Sequence, residues 1–187
     1  TQAELAQFQW LYHADTRNVV VIPPGVDTGR FYPIPADEAR EFIGIPCARN
    51  MILCVGRIEP LKGVDTLMNA LAILREAGVL DRHPVCTAII GGDPDVSPDD
   101  MSEEMGRLQL LRESLGIGDT VLFLGKRDQD TLQYYYSAAQ VVVVPSHYES
   151  FGLVALEAMA CGAPVVASET GGLAFLAPGR GAGHIGR

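Results

Sequence analysis

Short apolar runs alternate along this chain with amphipathic stretches of helical period, and that alternation leaves few folds open. Residues 51–55, 86–90, 121–124, 141–144 and 164–167 are four or five residues long and almost wholly apolar. Between them, Val64, Leu67, Leu71 and Leu74 recur at three- and four-residue spacing, as do Met105, Leu108, Leu111 and Leu115, and then Leu132, Tyr136 and Ala139. A strand that is apolar on both faces must be covered on both faces. Strands alternating with helices therefore predict βα units on a parallel sheet, an α/β, Rossmann-like, three-layer α/β/α domain. Turn glycines agree: Gly56 closes the first of these runs, Gly78 and Gly116 end helices, and Gly91-Gly92 follows the run at 86–90. Further helices are expected over residues 2–13, from Leu5, Phe8 and Tyr12, over 36–42, and over 152–161. Asp128 or Asp130 is expected to cap the helix through Leu132. A strand is expected at 19–22, stopped by Pro23-Pro24-Gly25, and residues 27–50 read as a Pro-rich loop around the helix at 36–42.

A chain of 187 residues, 48% hydrophobic and 20% charged, can bury one ordinary core. The net charge of −9 argues against nucleic acid and anionic membranes as partners. A phosphate site in such a chain has to be built locally, from a few cations and helix N-termini. The four cysteines, Cys47, Cys54, Cys86 and Cys161, have no metal-ligand spacing. Cys54 and Cys86 lie in strand-like runs, where reduced, buried thiols are expected, so a reducing, cytoplasmic setting is read. No signal peptide and no membrane-length apolar run is present in this sequence. Gly181, Gly183 and Gly186 match the spacing of a dinucleotide fingerprint, but no expected strand precedes them and no room for a helix follows. Residues 177–187 are instead expected to be a disordered tail.

Three places could carry chemistry. The first is Gly56-Arg57 with Lys62-Gly63, where two cations flank the start of a helix. The helix dipole and both charges could act on one diphosphate, or both side chains could simply be solvated. The second is the loop and helix from Glu149 to Glu157, behind the run 141–144. Strand, loop and helix there would offer free N–H groups and carboxylates at the carboxyl edge of a sheet. A pair of carboxylates invites a glycosidase reading. Eight positions apart, with Glu157 about five residues into the helix and so ~7 Å along its axis, the two should instead touch different parts of one ligand. A carboxylate accepts well from vicinal sugar hydroxyls. The alternative for Glu157 is an ordinary surface position. The third is Gly125-Lys126-Arg127, after the run 121–124, which could equally be an ordinary basic turn. His147 and Tyr148 share the key loop without forming a catalytic constellation.

Taken in order, these pieces resemble the carboxyl-terminal domain of the retaining, GT-B-fold glycosyltransferases of the group 1 (family four) type. The resemblance is carried by Pro23-Pro24-Gly25-Val26-Asp27 with Phe31 and Pro33; Val55-Gly56-Arg57 with Lys62-Gly63; and Gly91-Gly92-Asp93. It continues through Phe123-Leu124-Gly125; Pro145-Ser146; the Glu149-to-Glu157 motif; and Gly162-x-Pro164-Val165-Val166-Ala167 with Gly171-Gly172. Pro-Ser-His-Tyr-Glu-Ser-Phe-Gly is similar to the branch holding mycothiol-pathway N-acetylglucosaminyltransferases and sucrose-phosphate-synthase-like enzymes.

The resemblance implies a nucleotide-sugar donor, a UDP-sugar before a GDP-sugar, and one half of a two-domain enzyme. It implies that Arg57 and Lys62 hold the diphosphate and stabilise the leaving group, aided by the N–H groups of Leu153 and Val154. It implies that Glu149, catalytic with Arg57 and Lys62, and the Phe151-Gly152 backbone meet the donor sugar, and that Gly56, Gly92 and Ser150 border the donor. Glu157 would accept from the ribose, and the backbone near Arg127 would read the base. No metal and no cofactor are implied. Residues 1–24 would be an inter-domain segment packing on the sheet, and 25–176 the donor domain. An amino-terminal, acceptor-binding domain would complete the enzyme, and this polypeptide alone would be inactive. Rival readings are a nucleotide-sugar epimerase or phosphorylase on the same architecture, a non-catalytic nucleotide-binding module, and a nicotinamide dehydrogenase. The phosphorylase lacks a pyridoxal-phosphate lysine motif, and the dehydrogenase lacks a credible fingerprint.

Overall fold

The computed structural model describes residues 1–45 and 50–176, and the backbone of 184–186. In chain order the elements are α1 (Gln2–Tyr12), α2 (Ala36–Ile43), β1 (Met51–Val55), α3 (Val64–Glu76), α4 (Val79–Arg82) and β2 (Cys86–Ile90). There follow α5 (Glu103–Ser114), β3 (Val121–Gly125), α6 (Gln129–Ala138), β4 (Val141–Val144), α7 (Leu153–Ala160), β5 (Val165–Ser168), α8 (Leu173–Leu176) and β6 (His184–Gly186). The strands form one parallel sheet in the order β3-β2-β1-β4-β5-β6. From β1 the chain builds outward to β2 and β3, and α6 then carries it back to β4 on the other side of β1. The strand order therefore reverses between β1 and β4, and a crevice opens at their carboxyl ends, where open α/β sheets bind ligands.

The period of two along each strand explains the three layers. Met51 and Leu53 of β1, Ala88 and Ile90 of β2, and Val142 and Val144 of β4 face one way, against Tyr135, Tyr136 and Ala138 of α6 and Ala155 and Ala158 of α7. Ala39 of α2 and Phe31 join the same cluster. The intervening Cys54 and Ile89 face the other way, against Leu67, Met68 and Leu71 of α3 and Leu108 of α5. The buried residues of α7 are alanines, so its axis can approach the sheet closely.

Every strand and helix expected between residues 36 and 168 is present, to within a residue or two at the ends. Four local expectations need correction. Residues 19–22 form no strand: they find no ladder partner among the described residues, and Val20 and Ile22 are exposed. Asp128 sits at the N-cap of α6, but its side chain makes no capping bond. Cys86 is disulfide-bonded rather than reduced, whereas Cys54 and Cys161 are free and buried. Cys47 lies outside the described residues. In the tail, residues 177–183 and 187 also lie outside them, while the backbone of β6 pairs with β5 instead of being disordered.

Residues 1–23 join neither core cluster. Helix α1 is closed by a capping box between Thr1 and Glu4 and buries none of its residues. Thr1, Gln2, Val21 and Pro23 border a hollow shared with Phe151, Gly172, Phe175 and Leu176.

Gly63 begins α3 in the left-handed region, at φ 63°, directly beneath the loop that follows β4. A methyl group at Gly63 would overlap the Pro145 carbonyl oxygen, whereas Gly44, at φ 61°, has open space around it. Gly44→Ala should therefore cost only the left-handed strain, about 1 kcal/mol. Gly63→Ala should cost about 2–4 kcal/mol, because the backbone must also move. Urea unfolding of the two variants checks this; equal losses would remove the close approach as a determinant.

Candidate functional site

A cleft of about 360 Å³ opens at the crevice between β1 and β4. One wall is the β1–α3 turn, with Gly56, Arg57, Ile58 and Lys62; the other is the β4–α7 loop and the first turn of α7. Gly56, Arg57, Lys62, Glu149, Ser150, Phe151, Gly152, Leu153 and Val154 all line this one space. Residues almost a hundred positions apart are thus brought together by the adjacency of β1 and β4 in the sheet.

Two helices start at the cleft. Gly63 caps α3 and Gly152 caps α7, in neither case with a side-chain hydrogen bond to the first turn. The leading N–H groups of α7 therefore have no side-chain acceptor among the described residues, whereas in α3 the Thr66 N–H donates to the Asp65 carboxylate at 2.9 Å; the positive ends of both dipoles lie beside the same cavity. The first turn of α7 holds no acidic residue that would offset this potential.

The charged side chains at the cleft are matched in pairs. Lys62 Nζ donates to Glu149 Oε2 at 2.7 Å, with both side chains mostly buried. Arg57 donates to Glu59 at 2.6 Å, but its side chain is 77% exposed. An exposed pair contributes about 0–1 kcal/mol and is easily exchanged. The Lys62–Glu149 pair is less screened and holds the Glu149 loop against the β1–α3 turn. Cys54 stands behind this wall, its thiol pushed up to about 12 by burial, so it is an inert lining group.

Three residues that the resemblance assigns to the donor lie outside the cleft lining. Gly92 packs under Ile58 and Met105, where a Cβ would press on both side chains. Arg127 is exposed, and its Nε donates to the Tyr135 hydroxyl at 3.0 Å. Lys126 beside it pairs with Asp93 at 2.8 Å. Glu157 is half-buried on α7, three and four residues after Val154 and Leu153, and so continues their face one turn further along.

The Glu157 carboxylate accepts from the Tyr136 hydroxyl at 2.7 Å. Burial pushes the Glu157 carboxyl above its ordinary value, and the Tyr136 hydrogen bond pulls it partway back. Burial, with the Glu157 charge adding to it, drives the Tyr136 phenol far upward, so this hydroxyl remains a donor. Tyr136 is fully buried and was legible in the sequence only as an apolar helix position, because helical spacing does not register a hydroxyl. Ser146, 2% exposed at the cleft, was likewise legible only as part of a short motif.

A raised carboxyl value favours the neutral acid in the folded chain. The stability this provides is complete below the ordinary value of 4.5 and is lost as pH rises through the higher folded value. Glu157→Gln keeps an acceptor for Tyr136 and removes the charge. Its thermal midpoint should match the parent near pH 4 and exceed it by a few degrees at pH 7; a variant less stable at pH 7 would show that the charge is well compensated.

Comparison with known proteins bears on the family and the fold. Residues 35–177 match the family model described as glycosyl transferases group 1. The D-inositol 3-phosphate glycosyltransferase of Actinosynnema mirum is 44% identical over 173 residues, which is 92% of this chain and 40% of that protein. Among solved structures, sucrose-phosphate synthase from Thermosynechococcus elongatus superposes with a TM-score of 0.80 at 37% identity, covering 99% of this chain and 43% of that one. Anabaena Alr3699/HepE, solved with UDP and glucose, superposes with a TM-score of 0.79 at 28% identity, covering 100% of this chain and 47% of that one. The chain thus spans about two fifths of the length of the curated relative it matches. No helix among the described residues is long and apolar enough to cross a membrane.

Proposed function

The chain belongs to the group 1 glycosyl transferases, and on that footing we propose that it is the donor half of a retaining enzyme that transfers a hexosyl group from a nucleotide-diphosphate sugar. The observation that carries this reading is the convergence of Lys62, Arg57, two helix N-termini without side-chain caps and Glu149 on one cleft. The UDP bound in the similar Anabaena structure favours a UDP-sugar. On this reading the 187-residue polypeptide taken by itself binds donor without turning it over. The acceptor is handled by parts of the enzyme beyond these residues, and closure of two halves excludes water.

The bond between the anomeric carbon and the diphosphate oxygen breaks with its electron pair leaving on the diphosphate. Lys62 and Arg57 meet that charge together with the N–H groups of Leu153 and Val154, where a low-dielectric cleft makes fixed donors most effective. Glu149, Ser150 and the Phe151–Gly152 backbone hold the sugar. The departing diphosphate takes the proton of the acceptor hydroxyl, which attacks from the same face, so configuration is retained. Glu157 holds the ribose, and the backbone near Arg127 reads the base. Cations of the protein meet the diphosphate charge, so no metal is needed to bind the donor.

Because Lys62 is paired with Glu149, the incoming diphosphate has to share or displace that carboxylate. Calorimetric titration with UDP, GDP and UDP-sugars tests the reading. Lys62→Ala should weaken UDP about ten-fold or more. Arg57→Ala should weaken it about three-fold, an effect that fades at high salt. Glu149→Gln should tighten UDP about three-fold by removing a like charge, while a UDP-sugar loses its extra affinity. A chelator should change none of these values. UDP affinity untouched by Lys62→Ala would overturn the site, and sugar transfer by this polypeptide alone would overturn the division of labour.

A further inference from the structure

The three consecutive tyrosines of α6 do three different things. The ring of Tyr134 stacks on Phe42 of α2, at 3.8 Å between centroids. The Tyr135 hydroxyl accepts from Arg127 Nε, and the Tyr136 hydroxyl donates to Glu157 Oε2. Two neighbouring side chains of one helix thus reach two residues assigned above to the nucleoside part of the donor.

Tyr136 is the better placed of the two. It has no exposed surface, and Phe31 meets its ring edge-on at 6.0 Å. Phe31 is itself 3% exposed and follows the Asp27 turn, whose carbonyl accepts from the Phe31 N–H at 2.8 Å. The tyrosine ring therefore has little freedom, and neither has the direction of its O–H. A carboxylate oxygen 2.7 Å away from a fixed donor is held in turn. Oε1, the other oxygen of Glu157, has no hydrogen-bond partner among the described residues.

We propose that Tyr136 is the positioning residue of the nucleoside subsite, fixing one oxygen of Glu157 so that the other accepts from the vicinal ribose hydroxyls of the donor. The proposal rests on the donor reading above and adds to it the group that holds Glu157. A free carboxylate on an unbranched side chain samples several rotamers, and immobilising it at the moment of binding costs affinity. A carboxylate already anchored at one oxygen avoids most of that cost. The phenol is suited to the task because it stays protonated and can only donate to a carboxylate that is an acceptor. The α6–α7 contact also ties the ribose contact to the same helix that leads into β4, one side of the cleft.

The test uses two ligands, UDP and its 2′,3′-dideoxy analogue, titrated into the 187-residue chain and its variants. Tyr136→Phe should weaken UDP about ten-fold, the usual effect of losing one hydrogen bond to a charged group. It should leave the dideoxy analogue within about two-fold of the parent, because that ligand never uses Glu157. The double variant Tyr136→Phe/Glu157→Ala should bind UDP no more weakly than Glu157→Ala alone, as expected for residues acting as one unit. Equal weakening of both ligands, or additive losses in the double variant, would reduce Tyr136 to a packing role and overturn the proposal. Should Tyr136→Phe fail to fold, isotope-labelled tyrosine rings in the parent chain give a second reading. The Tyr136 signal should shift with UDP and not with the dideoxy analogue, and identical responses would overturn the proposal. If the folded parent binds no UDP, the donor reading falls and this proposal with it; if the parent binds UDP and the variants do not discriminate, only the proposal falls.

Discussion

The eight residues between β4 and α7 are gripped from both sides by main chain, and that grip decides where every cleft residue stands. On one side the His147 N–H donates to the Leu61 carbonyl at 2.9 Å, with Gly63 beneath Pro145. On the other, the Gly172 N–H donates to the Glu149 carbonyl at 2.8 Å, and the Thr170 hydroxyl to the His147 carbonyl at 3.0 Å. A methyl group at Gly171 would overlap the Glu149 carbonyl oxygen. Apart from the Thr170 hydroxyl these contacts are made by main chain on both sides, so the loop inherits the rigidity of the sheet that carries its neighbours. Loops that bear function on a fixed scaffold need this kind of tether. Glu149 then enters the cleft at a set height, and α7 starts at a set angle.

On the proposed reading, that geometry would let an acidic protein hold a local anion site. The net charge of −9 repels anions at long range, but screening confines that field to about 8–10 Å in ordinary salt. Within the cleft, the nearest charges are Lys62 and Arg57, each already matched by a carboxylate. The side-chain charges of the cleft are therefore close to balanced, and the remaining positive potential comes from the two helix N-termini. The pairs differ in burial. Arg57 can swing from Glu59 to a ligand at almost no cost, while Lys62 leaves Glu149 only if the ligand replaces the interaction.

The backbone plan was legible in the sequence because parallel strands covered on both faces advertise themselves as unbroken apolar runs. The same property misleads at 19–22, where Val19, Val20, Val21 and Ile22 have strand propensity but no neighbouring strand to pair with. Propensity is local, and a ladder needs a partner. The cleft was legible where its residues directly follow a strand, as Gly56 and Arg57 do, or lie in the loop that a strand leads into, as Glu149 does. What stayed hidden were the partners. Nothing in the spacing of Lys62 and Glu149 indicates that they meet, since 87 positions separate them and only the adjacency of β1 and β4 joins their loops. Nor does the pattern at 132–139 indicate that Tyr136 spends its hydroxyl on a carboxylate of another helix.

On the proposed donor reading, helix α7 would act as a ruler for a ligand whose charge is concentrated at one end. Its first turn offers N–H groups and a positive dipole end, which suit a diphosphate. One turn further the dipole has faded, and what the helix presents is a half-buried acid rather than a donor. An acid placed among apolar neighbours destabilises the folded chain when it ionises, and the fold could avoid that by carrying an amide or an aliphatic side chain there. The Tyr136 hydrogen bond offsets part of the cost without removing it. A charged acceptor retained at some expense in stability is what a site that must bind hydroxyls strongly requires, because an ionised acceptor makes the stronger bond. If Glu157 holds the ribose as proposed, the cost and the binding strength share one origin, the incomplete hydration of Glu157, and neither can be adjusted without the other.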